Sequence, residues 1–448
     1  MKYILPLLLL LNLSSLQAAS SMKTWFEEGS VKGKLRYYYI ETKKDIPNAA
    51  STSAHANTIG GQLNYTTGNW NGLELGTTFM TTQGFALPNV VDASNIGRDN
   101  GIKREGSAGG KIAQDSFSIL GEAFVKYSYK DLSLLYGRKV IKTPLVNAKD
   151  VRMIPSSVQG GFLEYKIDSN FALGASHLTH FKQRTADEFT NITKHALGTN
   201  MQAITGQDEG DIYIVNAKYQ SESISAKLYN YCADNFMNSL YVDANFKNKL
   251  ASGLSYSTAL QYINQVSIGN SDDNLANNLA LSGGQISSNA FGLRFGLGYD
   301  ESKLDFSASK VLSNSGKHDS LVLPWDGTPL LTNMITSNNL FQSNYGKALT
   351  SDSVYIGGSR GLKLAYTQKY NFTGIKGLKT VLSFLNVKND KFSNNQRDYN
   401  AVIAYGTGDF SLALKGIWVF HNSSADAQGN VTQIDRLTQY RVIANYAF

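Results

Sequence analysis

Tyr440-Arg441-Val442-Ile443-Ala444-Asn445-Tyr446-Ala447-Phe448 alternates with a period of two. Tyr440, Val442, Ala444, Tyr446 and Phe448 fall on one side, and Arg441, Ile443, Asn445 and Ala447 on the other. Successive side chains of a strand point to opposite faces, so this stretch reads as a strand with an aromatic-apolar face and a mixed, wetter one. Val31 to Tyr39 repeats the pattern at the other end of the chain. Val31, Gly33, Leu35, Tyr37 and Tyr39 share one face, and Lys32, Lys34, Arg36 and Tyr38 the other. A helix would distribute those lysines all round, so the strand is the better fit.

The same alternation recurs between them. Leu73, Leu75, Thr77 and Phe79 interleave with Glu74, Gly76 and Thr78. Phe291, Leu293, Phe295, Leu297 and Tyr299 interleave with Gly292, Arg294, Gly296 and Gly298. Phe410, Leu412, Leu414, Gly416, Trp418 and Phe420 alternate with a face carrying Lys415 and His421. Connections made of turn formers, such as Thr67-Gly68-Asn69, Lys130-Asp131, Asn248-Lys249 and Asp300-Glu301-Ser302, alternate with long ones. The long connections cover about 42–57, 81–115, 141–158, 182–210, 265–285, 313–357 and 422–433. About 18 strands of roughly 9–13 residues result, starting near 31, 58, 72, 117, 132, 159, 171, 211, 224, 239, 250, 288, 303, 360, 378, 397, 410 and 437.

Composition agrees with many strands. The chain has 25 Tyr, 21 Phe and 40 Gly but 7 Pro. Met1-Lys2, the leucine-rich run 3–13 and the small residues around Ala18-Ala19 are laid out as a secretory signal peptide, expected to occupy 1–19 and to leave one domain over 20–448. An exported chain whose single cysteine is Cys232 has no internal disulfide framework. Beyond the leader no run approaches the ~20 apolar residues of a membrane helix. Backbone in lipid is satisfied only by helices or closed barrels, so the expectation is an all-β transmembrane antiparallel barrel with short periplasmic turns and long extracellular loops. It would lie in the outer membrane of a Gram-negative bacterium. A formal net charge of +7, without long basic runs, calls for no nucleic-acid partner. His177 and His180 alternate across a strand and make no metal site, and no cofactor motif is visible.

Three segments carry a more specific likeness. They are Gly33-Lys34-Leu35-Arg36-Tyr37-Tyr38-Tyr39 with Gly60-Gly61-Gln62-Leu63; Leu135-Tyr136-Gly137-Arg138 followed by Asp150-Val151-Arg152-Met153-Ile154-Pro155 and Gly160-Gly161; and Leu364-Ala365-Tyr366 with Gly374-Ile375-Lys376-Gly377-Leu378. Together they resemble the OprD family of outer-membrane porins. The resemblance implies an 18-stranded channel, not an enzyme, whose third loop (141–158) folds inward, whose wall carries a basic ladder and whose solutes are small and hydrophilic. Carboxylate-bearing compounds, amino acids or peptides are the expected class.

On that reading Arg138, Lys142, Asp150 and Arg152 are the candidates for the constriction. Lys32, Lys34, Arg36, Arg294, Lys363 and Arg441 are candidates for the basic wall. Arginine suits a carboxylate path because its planar fork stays charged and bonds in pairs. Asp150 would either face these cations or pair with Arg152 to pin the loop. The apolar stretch Leu321-Val322-Leu323-Pro324-Trp325 within 313–357 suggests a second inward loop, with Asp326 a candidate lumen acid, or else a surface against a neighbouring subunit. The terminal Phe448 resembles a recognition signal for the outer-membrane assembly machinery, and its strand is expected to pair with 31–39 and bring Arg441 near Lys34 and Arg36. Expected partners are outer-membrane lipid, lipopolysaccharide and further copies in a homotrimer. The competing classes are a phospholipase-like barrel enzyme and an adhesin with a filled lumen. Large ohmic steps in planar bilayers would separate a channel from both.

Overall fold

A computed structural model describes residues 21–47, 51–86, 98–103, 112–277, 284–335, 342–345, 349–391, 395–425 and 431–448. The leader expected at 1–19 lies outside the described residues. Eighteen strands run antiparallel and close on themselves, with a two-residue addition at Thr190–Asn191 making a sheet of 19. In chain order they are β1 (Ser30–Asp45), β2 (Thr52–Thr66), β3 (Leu73–Ala86), β4 (Phe117–Tyr129), β5 (Leu132–Lys139), β6 (Ser157–Lys166), β7 (Phe171–Lys182), β8 (Ile212–Gln220) and β9 (Ile224–Ala233). They continue as β10 (Met237–Lys249), β11 (Ser255–Ser267), β12 (Ser287–Tyr299), β13 (Ser302–Val311), β14 (Ser359–Lys369), β15 (Lys379–Asn389), β16 (Asn395–Thr407), β17 (Phe410–Ala425) and β18 (Val431–Ala447).

The barrel closes where the alternation was plainest. β1 pairs with β18, setting Lys34 opposite Ala447, Arg36 opposite Asn445 and Ile40 opposite Arg441. Phe448 extends this seam. The Gly33 amide donates to the Phe448 carbonyl at 2.7 Å, and the Phe448 amide donates back at 3.0 Å. The Phe448 ring covers Gly33, where an added Cβ would lie 2.1 Å from it. Closure leaves no open sheet edge, which is what a barrel in hydrocarbon requires.

Every strand expected from the sequence is present. The largest shifts are at β2 and β18, which begin earlier, at Thr52 and Val431. The long connections expected at 42–57 and 422–433 shrink accordingly, because β1, β2, β17 and β18 keep pairing through polar residues such as Lys43–Ser53 and His421–Asp435. The turn expected at Asn248-Lys249 falls at 250–254, where Leu250 donates to the Leu254 carbonyl at 2.8 Å. Two tight turns use left-handed residues, Lys130 and Asp300.

Outside, Leu35, Leu63, Phe79, Leu260, Leu293, Leu364, Leu382 and Tyr446 are exposed as a lipid-facing band. The main buried cluster lies inside the barrel instead. Wall residues Tyr231, Tyr241, Ile263, Leu385 and Val387 pack there with Leu145, Val146, Ile192, Leu321, Val322, Trp325 and Leu330 from the loops. Helices α2 (Ile192–Leu197) and α3 (Met201–Thr205) add Leu197, Met201 and Ile204. At the opposite mouth, α1 (Met22–Glu27) seats Trp25 on the first turn, its indole N–H donating to the Gly68 carbonyl at 2.8 Å.

Candidate pore constriction

The period of two sends Lys32, Lys34, Arg36 and Tyr38 of β1 to the inside, where loop 141–156 lies against them. Arg36 grips Asp150 with two parallel bonds, Nη1 to Oδ1 at 2.6 Å and Nη2 to Oδ2 at 3.0 Å. Lys34 Nζ adds a third at 3.1 Å. The remaining Arg36 donors are also engaged. Nε donates to Asn445 Oδ1 at 2.7 Å, and Nη1 reaches the Arg152 and Met153 carbonyls. Tyr38, fully buried, donates its hydroxyl to the Val151 carbonyl at 2.9 Å. Burial alone would raise the Asp150 carboxyl, but the Arg36 guanidinium and then Lys34 hold it below the usual carboxylate range. Asp150 is therefore a clamp on the wall, and its partners are Arg36 and Lys34 rather than Arg152.

The loop's other side is held by the segment 313–357. Asn147 donates to the Trp325 carbonyl at 3.0 Å. Ser156 donates to Asp326 Oδ2 at 2.6 Å, and Arg184 bonds the other oxygen of the same carboxylate. Lys149 stands 4.0 Å away. Asp326 is 8 % exposed, so it ties two loops together instead of standing in the lumen as an open acid. Burial would raise its carboxyl, but Arg184 and Lys149 hold it low. The apolar stretch around Trp325 folds into this chain's own barrel; the indole donates to the Ile192 carbonyl at 2.8 Å. Wall amides hold the same segment, with Gln265 exchanging bonds with Val322 and Gln261 donating to the Pro329 carbonyl.

The remaining candidates are distributed as follows. Lys415, not singled out in the sequence although its parity put it inside, faces Arg441 directly across β17–β18. It lies within electrostatic reach of Arg36, Arg152 and Tyr38. Arg441 is 2 % exposed beneath them. Its Nε and Nη2 donate to Gln439, at 2.7 and 2.5 Å, and Nη1 has no hydrogen-bond partner among the described residues. Arg441 is thus beside Lys415 and Ile40 rather than beside Lys34. Lys142 and Lys32 line a chamber of about 690 Å³ on the periplasmic side of the loop, together with Lys126, Lys139, Lys218, Glu74 and Glu164. Three of its lysines are paired, Lys126 with Glu74 at 2.7 Å, Lys218 with Glu164 at 3.2 Å and Lys139 with the buried Glu122 at 3.1 Å.

Two expected wall cations are engaged structurally. Lys363 faces inward but donates to the Asn333 carbonyl at 2.6 Å, capping the second loop, and Arg294 donates to Asn245 at 3.1 Å. They stand on β14 and β12, away from the β1–β18–β17 patch. Arg138 is a correction. It shares the outward parity of the exposed Leu134 and Tyr136, its Nε donates to Gln159 at 3.3 Å, and its guanidinium stacks on Phe189. It belongs to the outer rim of the wall and not to the loop contact. Tyr229 is also buried, stacked on Tyr231.

A closed 18-stranded barrel, apolar outside and narrowed inside by two pinned loops beside a cationic patch, defines an outer-membrane channel of the porin class. The family model for "outer membrane porin, OprD family" matches residues 23–447, and the chain belongs to that family. A comparison with curated protein sequences returns no match. Among solved structures, OccK8 (OprE) of Pseudomonas aeruginosa is similar at 16 % identity and TM-score 0.72, over 95 % of this chain and 99 % of that one. OccAB1 of Acinetobacter baumannii is similar at 14 % identity and TM-score 0.71, over 95 % and 97 %. OccK2 (OpdF) of Pseudomonas aeruginosa, whose crystal structure is a complex with glucuronate, is similar at 13 % and 0.68, over 95 % and 98 %. The chain is accordingly an OprD-family porin of the Gram-negative outer membrane, and members of this family are channels rather than enzymes.

Proposed function

We propose that this porin passes small hydrophilic solutes by passive or facilitated diffusion and favours those bearing a carboxylate, such as amino acids, short peptides or sugar acids. One observation carries the reading. Lys34, Arg36, Arg152, Lys415 and Arg441 gather where loop 141–156 meets β1, β18 and β17, and Lys34 and Arg36 among them hold Asp150. Charged groups at a narrow site bias conduction toward counter-ions, provided that binding is weak enough to release. Arg36 is already saturated by the loop, and Arg152 donates to the Val151 carbonyl at 3.0 Å, so Lys415 is the side chain assigned to solute contact, with Arg152 and Arg441 as sources of field. Lys142 and Lys32 would carry the anion on through the periplasmic chamber. The glucuronate complex of the similar OccK2 is in keeping with a carboxylate class. Reversal potentials across a KCl gradient in planar bilayers test the proposal. Preference for chloride, weakened in Lys415→Ala, is expected; cation preference, or no change in the variant, would refute it.

A further inference from the structure

A second cationic array faces the opposite way. Lys310, Arg360 and Lys388 occupy one hydrogen-bonded row across β13, β14 and β15, with Lys310 opposite Arg360 and Arg360 opposite Lys388. All three share the parity of the exposed Leu304, Phe306, Leu362, Leu364 and Leu382, so they point out of the barrel. They sit where β13 and β15 end and β14 begins, next to the long connection 312–358, which is the extracellular end. Adjacent strands lie about 4.8 Å apart, so the three charges span roughly 10 Å. Arg397 on β16 lies near the row, opposite Asn386. Asp390 bonds Lys310 and, at 2.8 Å, Arg360, leaving the array positive. The Arg360 side chain remains 61 % exposed.

Beneath the row the wall is hollowed. Small Ala244 and Ala308 let in a groove of about 1060 Å³, flanked by Leu260, Tyr262, Leu293 and Leu362, with Lys310, Arg360 and Lys388 at its rim. The same level of β9 to β12 is neutral. Asn230 and Asn238 bond each other at 3.0 and 3.1 Å, and Asn264 donates to Asn289 at 3.1 Å. From β9 to β15 the cations at this level of the outer wall are thus concentrated above the groove.

We propose that this face holds one phosphorylated, multiply acylated saccharide lipid of the outer leaflet, the lipid A part of lipopolysaccharide. Its phosphates would meet the row Lys310–Arg360–Lys388, and an acyl chain would lie in the groove below. Leu362 is two residues down from Arg360, about 6.6 Å, so the change from charge to hydrocarbon along the strand is as abrupt as that between the lipid's headgroup and its chains. Arginine bonds phosphate with two parallel N–H groups, and lysine adds point charge.

The experiment is native mass spectrometry of the full-length porin, stripped of co-purified lipid and titrated with diphosphoryl lipid A, monophosphoryl lipid A or phosphatidylethanolamine. One diphosphoryl lipid A is expected to be retained per chain, with weaker retention of the monophosphoryl form. Lys310→Gln/Arg360→Gln/Lys388→Gln together should weaken retention roughly tenfold or more, the consequence of losing several charge-assisted bonds. Unchanged single-channel conductance of that variant would show it folded, since none of the three faces the lumen. Equal retention by the triple variant, equal occupancy by phosphatidylethanolamine, or an equal loss from Gln83→Glu on the far side of the rim would overturn the proposal.

Discussion

Replacing Asp150 by Asn removes a charge at almost constant shape and tests how the third loop is held. The carboxylate accepts from Arg36 Nη1 at 2.6 Å, Arg36 Nη2 at 3.0 Å and Lys34 Nζ at 3.1 Å. An amide keeps one acceptor oxygen and turns an NH2 donor toward those cations. Breaking a buried pair costs ~3–5 kcal/mol, and exposed pairs much less. The Asp150 side chain is 32 % exposed, so a loss of about 2–3 kcal/mol is the reasonable figure. The loop would not leave the barrel, because Tyr38 still holds Val151 and Ser156 still bonds Asp326. Residues around 149–152 would instead leave the wall about 30–150 times more often, taking tenfold per 1.4 kcal/mol. Lys34 would also be released, and the narrow region would gain one formal positive charge.

The assay is single-channel recording in planar bilayers under a KCl gradient. Asp150→Asn should show more open-channel noise and a reversal potential displaced toward that of chloride, and Asp150→Glu should recover part of both. A variant as quiet as wild type, with the same reversal potential, would refute the clamp.

Three further outcomes follow from the same contacts. Trp325→Ala, which empties a fully buried indole site and leaves the Ile192 carbonyl without its donor, should destabilise the inner loops by roughly 3–5 kcal/mol; protease nicking within 313–335 at unchanged barrel content would report it. Deleting Phe448 removes the two backbone bonds to Gly33 that end the seam and should lower the heat-resistant folded fraction on gels, whereas normal assembly would exclude a role for the residue. The Asp326 latch has a depressed carboxyl pKa, so its contribution is fully present above the ordinary carboxylate value and is lost only as pH falls through the lower folded value; channel noise should stay flat from neutral pH to about 4 and rise below it, and a transition near pH 6 would contradict the ion pair.

Strands were legible because lipid on one side and water on the other impose a period of two that survives without any helix-like apolar run. Closure was legible too, down to the pairing of 440–448 with β1. The alternation of Lys415 with Leu414 and Gly416 places it inside, but its meeting with Arg441 depends on the register of β17 against β18. Nearness in sequence to the loop suggests a constriction role for Arg138, while its parity with Leu134 and Tyr136 points it outward. The latch of Arg184, Ser156 and Asp326 could not be read at all. Its members are separated by 142 and 170 residues, and they lie in loops without periodicity. Lys363 shows a subtler limit: its face was right, but whether an inward lysine meets solute or caps a carbonyl depends on how loop 312–358 folds over it.

β14 shows how one strand divides charge between two tasks. Arg360 is outward, Leu362 and Leu364 follow it into the lipid band, and Lys363 between them points inward to the Asn333 carbonyl. A slip of one residue would send Lys363 into hydrocarbon, at a cost of ~2–4 kcal/mol near the midplane, and would turn the leucines toward water. The register is therefore fixed by the leucines, while the cations depend on it: an odd or even position decides whether a lysine or arginine acts on the lumen or on the outer leaflet. On this account, moving Arg360 by a single position should not shift charge gradually from one role to the other. It should abolish the outer row and add a cation to the lumen at once, so lipid retention and ion selectivity would change together in that variant and separately in the variants that keep parity.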